Sequence, residues 1–266
     1  MSSLRILSWN VHGDLAVKLT LHQFMSIIEM YNIIALQETH LSPALEKMLK
    51  LPHGFSFHSR SRNRPLSNFD SPQDGVAFLV RSHLSISVHD DISSQDILVL
   101  SASGISLVSV YIPPKNSRLQ HSDPLVAETE DRFLTLLQVM SAVDSPAHQQ
   151  WLVIGDLNAC SSSLSCCDCL HVSVDVSASA RGWQILHLCR NAKLHLLNGD
   201  IVLDNNPAMS SFQPQGTALV DYTMPSQELY IHVLSFATLA PSLWSDHAPL
   251  SGPRPTPIGC PTPYQI

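Results

Sequence analysis

Residues 151–158 of the chain are Trp-Leu-Val-Ile-Gly-Asp-Leu-Asn, an apolar run that ends in an acid and an amide. A short run of this kind is typical of a buried strand. A second junction lies further along, where the polar residues 245–247 (Ser-Asp-His) come directly before an apolar run. Burying charged side chains at the edge of a sheet is costly unless they bind a cation or a phosphate or transfer a proton. The two stretches therefore indicate an enzyme.

The bulk composition indicates one large globular domain. With 266 residues, 44% of them hydrophobic, the chain can bury a sizeable core. The formal net charge of -7 argues against a generally basic surface that coats nucleic acid. It does not exclude a nuclease, because part of the acidity could belong to a metal site that is neutralised when loaded.

Neither a membrane span nor a secretory leader is expected. No apolar run approaches the roughly 18 residues of a spanning helix, and residues 1–7 lack the basic-then-apolar layout of a signal peptide. We therefore expect an intracellular protein, nuclear or cytoplasmic and not secreted, with six reduced cysteines. Four of them crowd together before His171, at spacings that fit no standard zinc site: Cys160, Cys166, Cys167 and Cys169. A Ser/Cys-rich loop is the favoured interpretation there.

Strand patterns outnumber helix patterns and occur in runs on either side of the helices. The predicted strands are 4–10, 33–36, 55–60, 75–81, 84–89, 97–101, 105–112, 151–156, 194–197, 219–224 and 229–236. Helical spacing appears at 21–31, 43–49, 124–140 and 181–192. The order favours an α+β fold, a four-layer α/β/β/α sandwich of two mixed β-sheets flanked by helices. We expect one domain over residues 1–250 and a proline-rich, disordered tail over 251–266, with no closing strand after residue 247.

Five polar positions lie at the ends of predicted strands, and their chemistry suits phosphodiester hydrolysis. A hard divalent cation prefers oxygen ligands, which Glu38, Asn10 and Asp246 offer. The remaining positions supply acid–base groups and donors: Asp156 with Asn158, Asp221, and His247, which is adjacent to Asp246.

Each acid–base group has an expected task. Asp156 would orient or deprotonate the attacking water. Asn158 and a protonated His247 would donate hydrogen bonds to the charge that develops on phosphate. Asp221 would fix the tautomer of His247 and favour its cationic form.

The motifs that carry these residues resemble the endonuclease/exonuclease/phosphatase superfamily, which includes exonuclease III-type and DNase I-like enzymes. They are Ser8-Trp9-Asn10-Val11-His12-Gly13, Leu36-Gln37-Glu38-Thr39, Val110-Tyr111-Ile112-Pro113-Pro114, Gly155-Asp156-Leu157-Asn158-Ala159, Asp221-Tyr222 and Ser245-Asp246-His247. Three details resemble the endonuclease domain of non-LTR (LINE-like) retrotransposons: residues 111–114, Arg181-Gly182, and Gly216-Thr217.

The resemblance implies a DNase I-like fold and a role for each matched residue. Glu38 would be the principal ligand of Mg²⁺ or Mn²⁺, with Asn10 and Asp246 nearby. Tyr111 would approach the scissile phosphate and take part in catalysis, and the substrate would also contact Asn158, Thr217 and Ser245. One departure is His12, which stands where abasic-site repair enzymes carry an acidic residue.

The expected activity is a Mg²⁺-dependent endonuclease that nicks DNA and leaves 3′-hydroxyl and 5′-phosphate ends. DNA is the expected partner of a monomeric protein, and phosphate contact would come from Arg62 and Arg64, with Arg60, Lys115 and Arg118 as further candidates. Two alternatives stay open. One is a phosphatase or phosphodiesterase that acts on a small or lipid phosphoester, and the other is an inactive, element-derived remnant or interaction module.

Overall fold

The computed structural model describes residues 4–61, 74–115, 124–142, 150–164, 171–204 and 206–252. Its helices are α1 (Leu15–Lys18), α2 (His22–Ile28), α3 (Pro43–Glu46), α4 (Pro124–Ala142), α5 (Ala180–Asn191) and α6 (Gln227–Tyr230). Its strands are β1 (Ile6–Asn10), β2 (Ile33–Gln37), β3 (Phe55–Arg60), β4 (Val76–Arg81), β5 (Ile86–Val88), β6 (Ile97–Ala102), β7 (Ile105–Tyr111), β8 (Gln150–Asp156), β9 (Ser211–Gln213), β10 (Gly216–Ala218), β11 (Asp221–Pro225), β12 (Ala237–Thr238) and β13 (Leu250–Gly252).

Within these residues the strands form two mixed sheets and a separate hairpin. The first sheet has the order β12-β13-β1-β2-β4-β3 and the second has the order β11-β8-β7-β6-β5, while β9 and β10 pair as a hairpin. Each sheet contains one parallel pair, β1 with β2 and β7 with β8. The carboxyl ends of parallel strands point the same way, so each pair delivers the residues that follow it to one edge of its sheet.

The strands are apolar on both faces because each sheet is covered on both sides. In β2, Ile33 and Ala35 face the second sheet and pack with Leu107 and Ile154. The alternate residues of β2 face outward and pack against α2. On the far side of the second sheet, α4 and α5 cover the outer faces of β7 and β8. This α/β/β/α sandwich confirms the predicted fold class.

The prediction that no closing strand follows residue 247 was wrong. Leu250, Ser251 and Gly252 pair with Ser8, Leu7 and Ile6 of β1, and β12 pairs with the other side of β13. The described strand has three residues, Leu250–Gly252, and the next residue in the sequence is Pro253, which cannot donate a ladder hydrogen bond. Residues 253–266, most of the predicted tail, lie outside the described residues.

Two other strand predictions and one helix boundary were wrong. Residues 194–197 run beside β11, and His195 and Leu197 donate backbone hydrogen bonds to Pro225 and Thr223. The Asn198 side chain takes the hydrogen bonds of Asp221 O and Thr223 N, so the backbone pairing is interrupted and no strand is formed. Residues 229–236 begin inside α6, and Ile231 and Leu234 are exposed, which breaks the alternation of a strand. The helix predicted over 43–49 ends at Glu46, and the β9–β10 hairpin was missed.

Candidate active site

The strand registers place the predicted site residues at one edge of the sandwich. Asn10 is paired with Gln37, so Glu38 follows directly at the same level. In the second sheet Asp156 is paired with Tyr111 on one side and with Asp221, the first residue of β11, on the other. Residues 246 and 247 precede β13, which runs antiparallel to β1, and therefore reach the same edge.

Backbone geometry at this edge depends on conformations that few residues adopt. Gly155 has φ +146, and a Cβ there would lie 1.9 Å from the carbonyl oxygen of Val110. Glu38 and Asn158 have positive φ values of 50 and 44, as have His12 and His40 at 48 and 49. Non-glycine residues with positive φ are uncommon and tend to cluster at functional sites.

Asn10 joins the two sheets at the centre of the site. Its buried Nδ2 donates to Glu38 Oε1 at 2.8 Å and to Asp156 Oδ2 at 2.9 Å. Its Oδ1 accepts a hydrogen bond from the backbone N–H of His12 at 3.0 Å. Both carboxylates are therefore held by one amide, and the amide is fixed by the loop that follows β1.

Glu38 is an ionised carboxylate in a buried setting. Burial alone would raise its pKa, but the neighbouring His40 ring and the hydrogen bond from Asn10 outweigh burial and lower the pKa of Glu38 to about 2. His40 Nε2 lies 3.4 Å from Glu38 Oε2. The His40 ring fits there because residue 13 is glycine, since a Cβ on Gly13 would lie 2.4 Å from His40 Nδ1.

Asp156 lies below the opening of the site and is held by its own loop. Its Oδ1 accepts from the backbone N–H of Asn158 at 2.9 Å, and its Oδ2 accepts from Asn158 Nδ2 at 3.2 Å. Burial and the nearby charge of Asp221 raise the pKa of Asp156 to about 8. Asn158 Nδ2 also donates to the carbonyl of Ile112 at 3.0 Å, so its hydrogen atoms already have acceptors.

The Arg181-Gly182 pair, noted in the sequence, supports this loop. Arg181 is buried and donates to the carbonyl oxygens of Leu157 at 3.3 Å and Asn158 at 3.1 Å, while its other nitrogen binds Glu130 of α4 at 2.8 Å. A Cβ on Gly182 would lie 2.0 Å from the carbonyl oxygen of Cys160. The start of α5 therefore packs against the loop and fixes it.

His247 and Asp221 form a buried pair. Asp221 Oδ2 lies 2.7 Å from His247 Nδ1, and His247 Nε2 lies 3.9 Å from Asp156 Oδ2. Burial opposes a charge on the ring, but the Asp221 carboxylate outweighs burial and raises the pKa of His247 to about 10. The pair is thus imidazolium and carboxylate, with Nε2 on the side of Asp156.

Backbone contacts hold this pair in place. Trp9 Nε1 donates to the His247 carbonyl at 3.0 Å, and Ser210 Oγ accepts from the N–H of Asp221 at 3.0 Å. Ser245 Oγ donates to the Asn10 carbonyl at 2.7 Å and accepts from the N–H of His247 at 3.0 Å. Ser245, predicted to bind substrate, therefore joins the two halves of the site in this structure.

The ligand atoms of three residues come close enough to share one metal ion. Single atoms of Glu38, Asp156 and His247 all lie within 4.8 Å of one another. Asp246 contributes an Oδ1 that is shielded from solvent and accepts no hydrogen bond from the described residues. Oxygen donors of this kind suit a hard divalent cation, so the residues present fit such an ion.

The remaining predicted substrate contacts are only partly in place. Tyr111 is buried beside Asp156, and burial with the surrounding carboxylates raises the pKa of its phenol well above the usual range. Thr217 is exposed on the β9–β10 hairpin, which is joined to the site where Phe212 N donates to Asp246 O at 2.8 Å. Arg62 and Arg64, like Arg118, lie outside the described residues. Arg60 and Lys115 pair with Asp90 and Glu130.

Some supporting residues gave no usable signal in the sequence. Lys18 is buried, and its ammonium group donates to the carbonyl oxygens of Val11 and Gly13 in the loop after β1. A lysine at a helix end is ordinarily a surface residue, so nothing in the pattern marked it. Ser210 and Asn198 are likewise revealed only by tertiary contacts.

The sequence model of the endonuclease/exonuclease/phosphatase family matches residues 7–247, which span every motif described above. The chain belongs to this family. Its members are hydrolytic phosphoesterases, nucleases and phosphatases. No curated protein sequence is significantly similar to the chain.

Solved structures with the same fold include three enzymes of known class. The AP endonuclease LMAP from Leishmania major is 16% identical with a TM-score of 0.69, covering 96% of this chain and 89% of that one. The 3′ phosphatase NExo from Neisseria, bound to product DNA hairpin, is 18% identical with a TM-score of 0.64, covering 94% and 98%. The endonuclease domain of TRAS1, a telomere-specific non-LTR retrotransposon, is 18% identical with a TM-score of 0.62, covering 94% and 98%. At these identities the likeness shows the fold.

Among the described helices, none has both the length and the apolar character needed to cross a membrane. The two described cysteines, Cys160 and Cys189, are free thiols. The other residues of the Cys160–Cys169 cluster lie outside the described ranges.

Proposed function

We propose that the chain is a divalent-metal-dependent endonuclease that nicks DNA and leaves 3′-hydroxyl and 5′-phosphate ends. The observation that carries this proposal is the convergence of Glu38, Asp156 and His247 within 4.8 Å of one another, with Asp221 bonded to His247. In this arrangement a carboxylate that can bind a metal lies beside an imidazolium oriented by Asp221. It favours an active enzyme over an inactive remnant, which does not require these groups to converge.

The metal would be held by Glu38 and Asp246, with Asn10 beside them. When bound, the cation neutralises negative charge on the phosphate and polarises the phosphoester. Burial is the largest cause of the raised pKa of Asp156, and the neighbouring carboxylates of Asp221 and Glu38 add to it. With a divalent cation held by Glu38 and Asp246, Asp156 would be favoured in its ionised form.

The protein side chains then divide the remaining work. Asp156 orients the attacking water and accepts its proton. His247, charged and held through Nδ1 by Asp221, donates from Nε2 to a phosphate oxygen as negative charge develops there. Tyr111 is a neutral phenol at the same edge and can donate to the phosphate. Asn158 can do so only by exchanging one of its present acceptors, Ile112 O or Asp156 Oδ2.

Two observations support DNA as the substrate. The similar structures include two endonucleases and a 3′ phosphatase bound to a DNA hairpin, and the β9–β10 hairpin lies beside the site. The hairpin carries Thr217 and adjoins residues 246–248 through backbone hydrogen bonds. Because the net charge is -7, the surface as a whole does not attract DNA, so contacts to the phosphates must come from individual groups near the site. Monomeric state and intracellular location remain predictions from the sequence.

The test is conversion of supercoiled plasmid to the nicked form, with Mg²⁺ and with EDTA. We expect nicking that EDTA abolishes and that falls on the order of 10²–10⁴-fold in Asp156→Asn and His247→Gln. Asp131→Asn and His83→Asn alter exposed residues and should nick like the wild type. DNA ligase should reseal the nicks, since it requires a 3′-hydroxyl beside a 5′-phosphate.

Other outcomes favour the alternatives. A folded protein that leaves plasmid intact but releases phosphate from a small phosphomonoester would support a phosphatase. A folded protein that is inert on both substrates, with Mg²⁺ and with Mn²⁺, would support a remnant or an interaction module and contradict the proposed enzyme.

A further inference from the structure

His12 lies at the rim of the site with one ring nitrogen facing both proposed metal-binding carboxylates. Its Nδ1 is 3.4 Å from Asp246 Oδ1 and 3.7 Å from Glu38 Oε2. The side chain is 59% exposed, whereas the side chains of Glu38 and Asp246 are 14% and 25% exposed. The imidazole thus covers the carboxylates from the solvent side.

The backbone holds His12 in this position. Its N–H donates to Asn10 Oδ1 at 3.0 Å, and its φ of 48 turns the chain sharply. The buried Lys18 ammonium binds the carbonyl oxygens on either side of it, those of Val11 and Gly13. A surface histidine on a free loop would have no such support, so the backbone that carries this ring is held by three features.

We propose that His12 is a nitrogen ligand of the metal site and that the site therefore favours a divalent transition-metal ion such as Mn²⁺ over Mg²⁺. This inference rests on the proposed function for the presence of a metal. Ligands at right angles around a six-coordinate ion, each about 2.1 Å away, are about 3 Å apart. The present separations of 3.4 and 3.7 Å are longer than this, so binding of an ion requires the exposed ring and the two carboxylates to move closer together.

The preference follows from the ligand set. Carboxylate oxygens and water suit Mg²⁺ and Mn²⁺ alike, whereas imidazole nitrogen suits transition metals and is a poor ligand for Mg²⁺. Asp246 Oδ1, which accepts no hydrogen bond from the described residues, lies 3.4 Å from His12 Nδ1. A metal between these two atoms would satisfy both.

His40 has a different role. Its Nε2 lies 3.4 Å from Glu38 Oε2 and has no hydrogen-bond partner among the described residues. It comes within 4 Å of only one of the two carboxylates, whereas His12 Nδ1 comes within 4 Å of both, so we assign the ligand role to His12. The two rings are 6.3 Å apart between centroids, so their variants can be compared separately.

The test uses MnCl₂ added to the purified full-length protein and reads the spin-echo modulation of the bound Mn²⁺ by nearby ¹⁴N nuclei. We expect the modulation of a directly bound imidazole in the wild type, its loss in His12→Asn, and its retention in His40→Asn. His83→Asn is the matched control, because His83 is exposed at the opposite end of β4 from the site. The Mg²⁺ concentration that displaces Mn²⁺ should fall on the order of tenfold in His12→Asn.

The possible failures differ in what they contradict. Bound Mn²⁺ without nitrogen modulation, or modulation that survives His12→Asn, overturns the role of His12 and leaves the proposed endonuclease standing. Modulation lost in His40→Asn and kept in His12→Asn assigns the ligand to the other ring and also overturns the inference. Absence of any Mn²⁺ or Mg²⁺ binding contradicts the metal site itself, and with it both proposals.

Discussion

Gly155 shows how one residue type can be required by the fold and by the site together. It is paired with Val110 of β7 and Tyr222 of β11, and it is the residue directly before Asp156 in β8. A side chain here would meet the backbone of Val110, which cannot move without breaking the strand pair that delivers Tyr111. The glycine of the Gly-Asp-Leu-Asn stretch is therefore explained by the close approach of neighbouring backbone.

We expect Gly155→Ala to destabilise the protein more than a matched glycine substitution does. Gly216 has nearly the same φ, +145, but no heavy atom within 4 Å of a built Cβ. Gly216→Ala should cost about 1–3 kcal/mol from backbone strain alone, and Gly155→Ala about 2 kcal/mol more from the clash. Urea unfolding of the two variants measures the difference, and equal midpoints would contradict this account.

At the scale of elements, a strand was predicted where its own residues form a long apolar run. Elements that depend on contacts with distant parts of the chain were not. The apolar runs of β2 and β8 predicted strands that the structure confirms, and the polar residues after them predicted one shared edge. Sequence patterns did not reveal β13, which is three residues long and is stabilised by strands on both sides. They also did not reveal Asn198, whose side chain takes two backbone hydrogen bonds of β11, or Lys18, whose partners are carbonyl oxygens.

The short closing strand leads to a prediction about where the domain ends. Because β13 lies between β12 and β1, we expect truncation after Gly252 to leave the melting temperature within a few degrees of the full chain. Truncation after Pro249 removes β13, exposes the edge of β1 and should abolish cooperative unfolding. Thermal unfolding followed by circular dichroism compares the three forms. A large loss on removing residues 253–266 alone would show that the tail is part of the fold.

At the scale of the whole molecule, the site is built across the interface between the two sheets. Glu38 follows a strand of the first sheet and Asp156 ends a strand of the second, and Asn10 hydrogen-bonds to both. Below them Gln37 of the first sheet donates to Ser109 of the second at 3.1 Å, in an otherwise apolar core. A ligand that binds both carboxylates is therefore coupled to the packing of the sheets.

Binding of a divalent cation should for this reason stabilise the folded protein as a unit. A ligand that binds only the native state at about 100 times its Kd adds about 2.7 kcal/mol to the free energy of unfolding. We expect Mg²⁺ or Mn²⁺ to raise the melting temperature and EDTA to reverse the rise. Glu38→Gln should weaken the response strongly, because it removes a ligand charge at the centre of the site. Glu228→Gln, an exposed acid on α6, should respond like the wild type. An equal metal-dependent shift in Glu38→Gln and Glu228→Gln would mean that the ion binds elsewhere on this acidic chain.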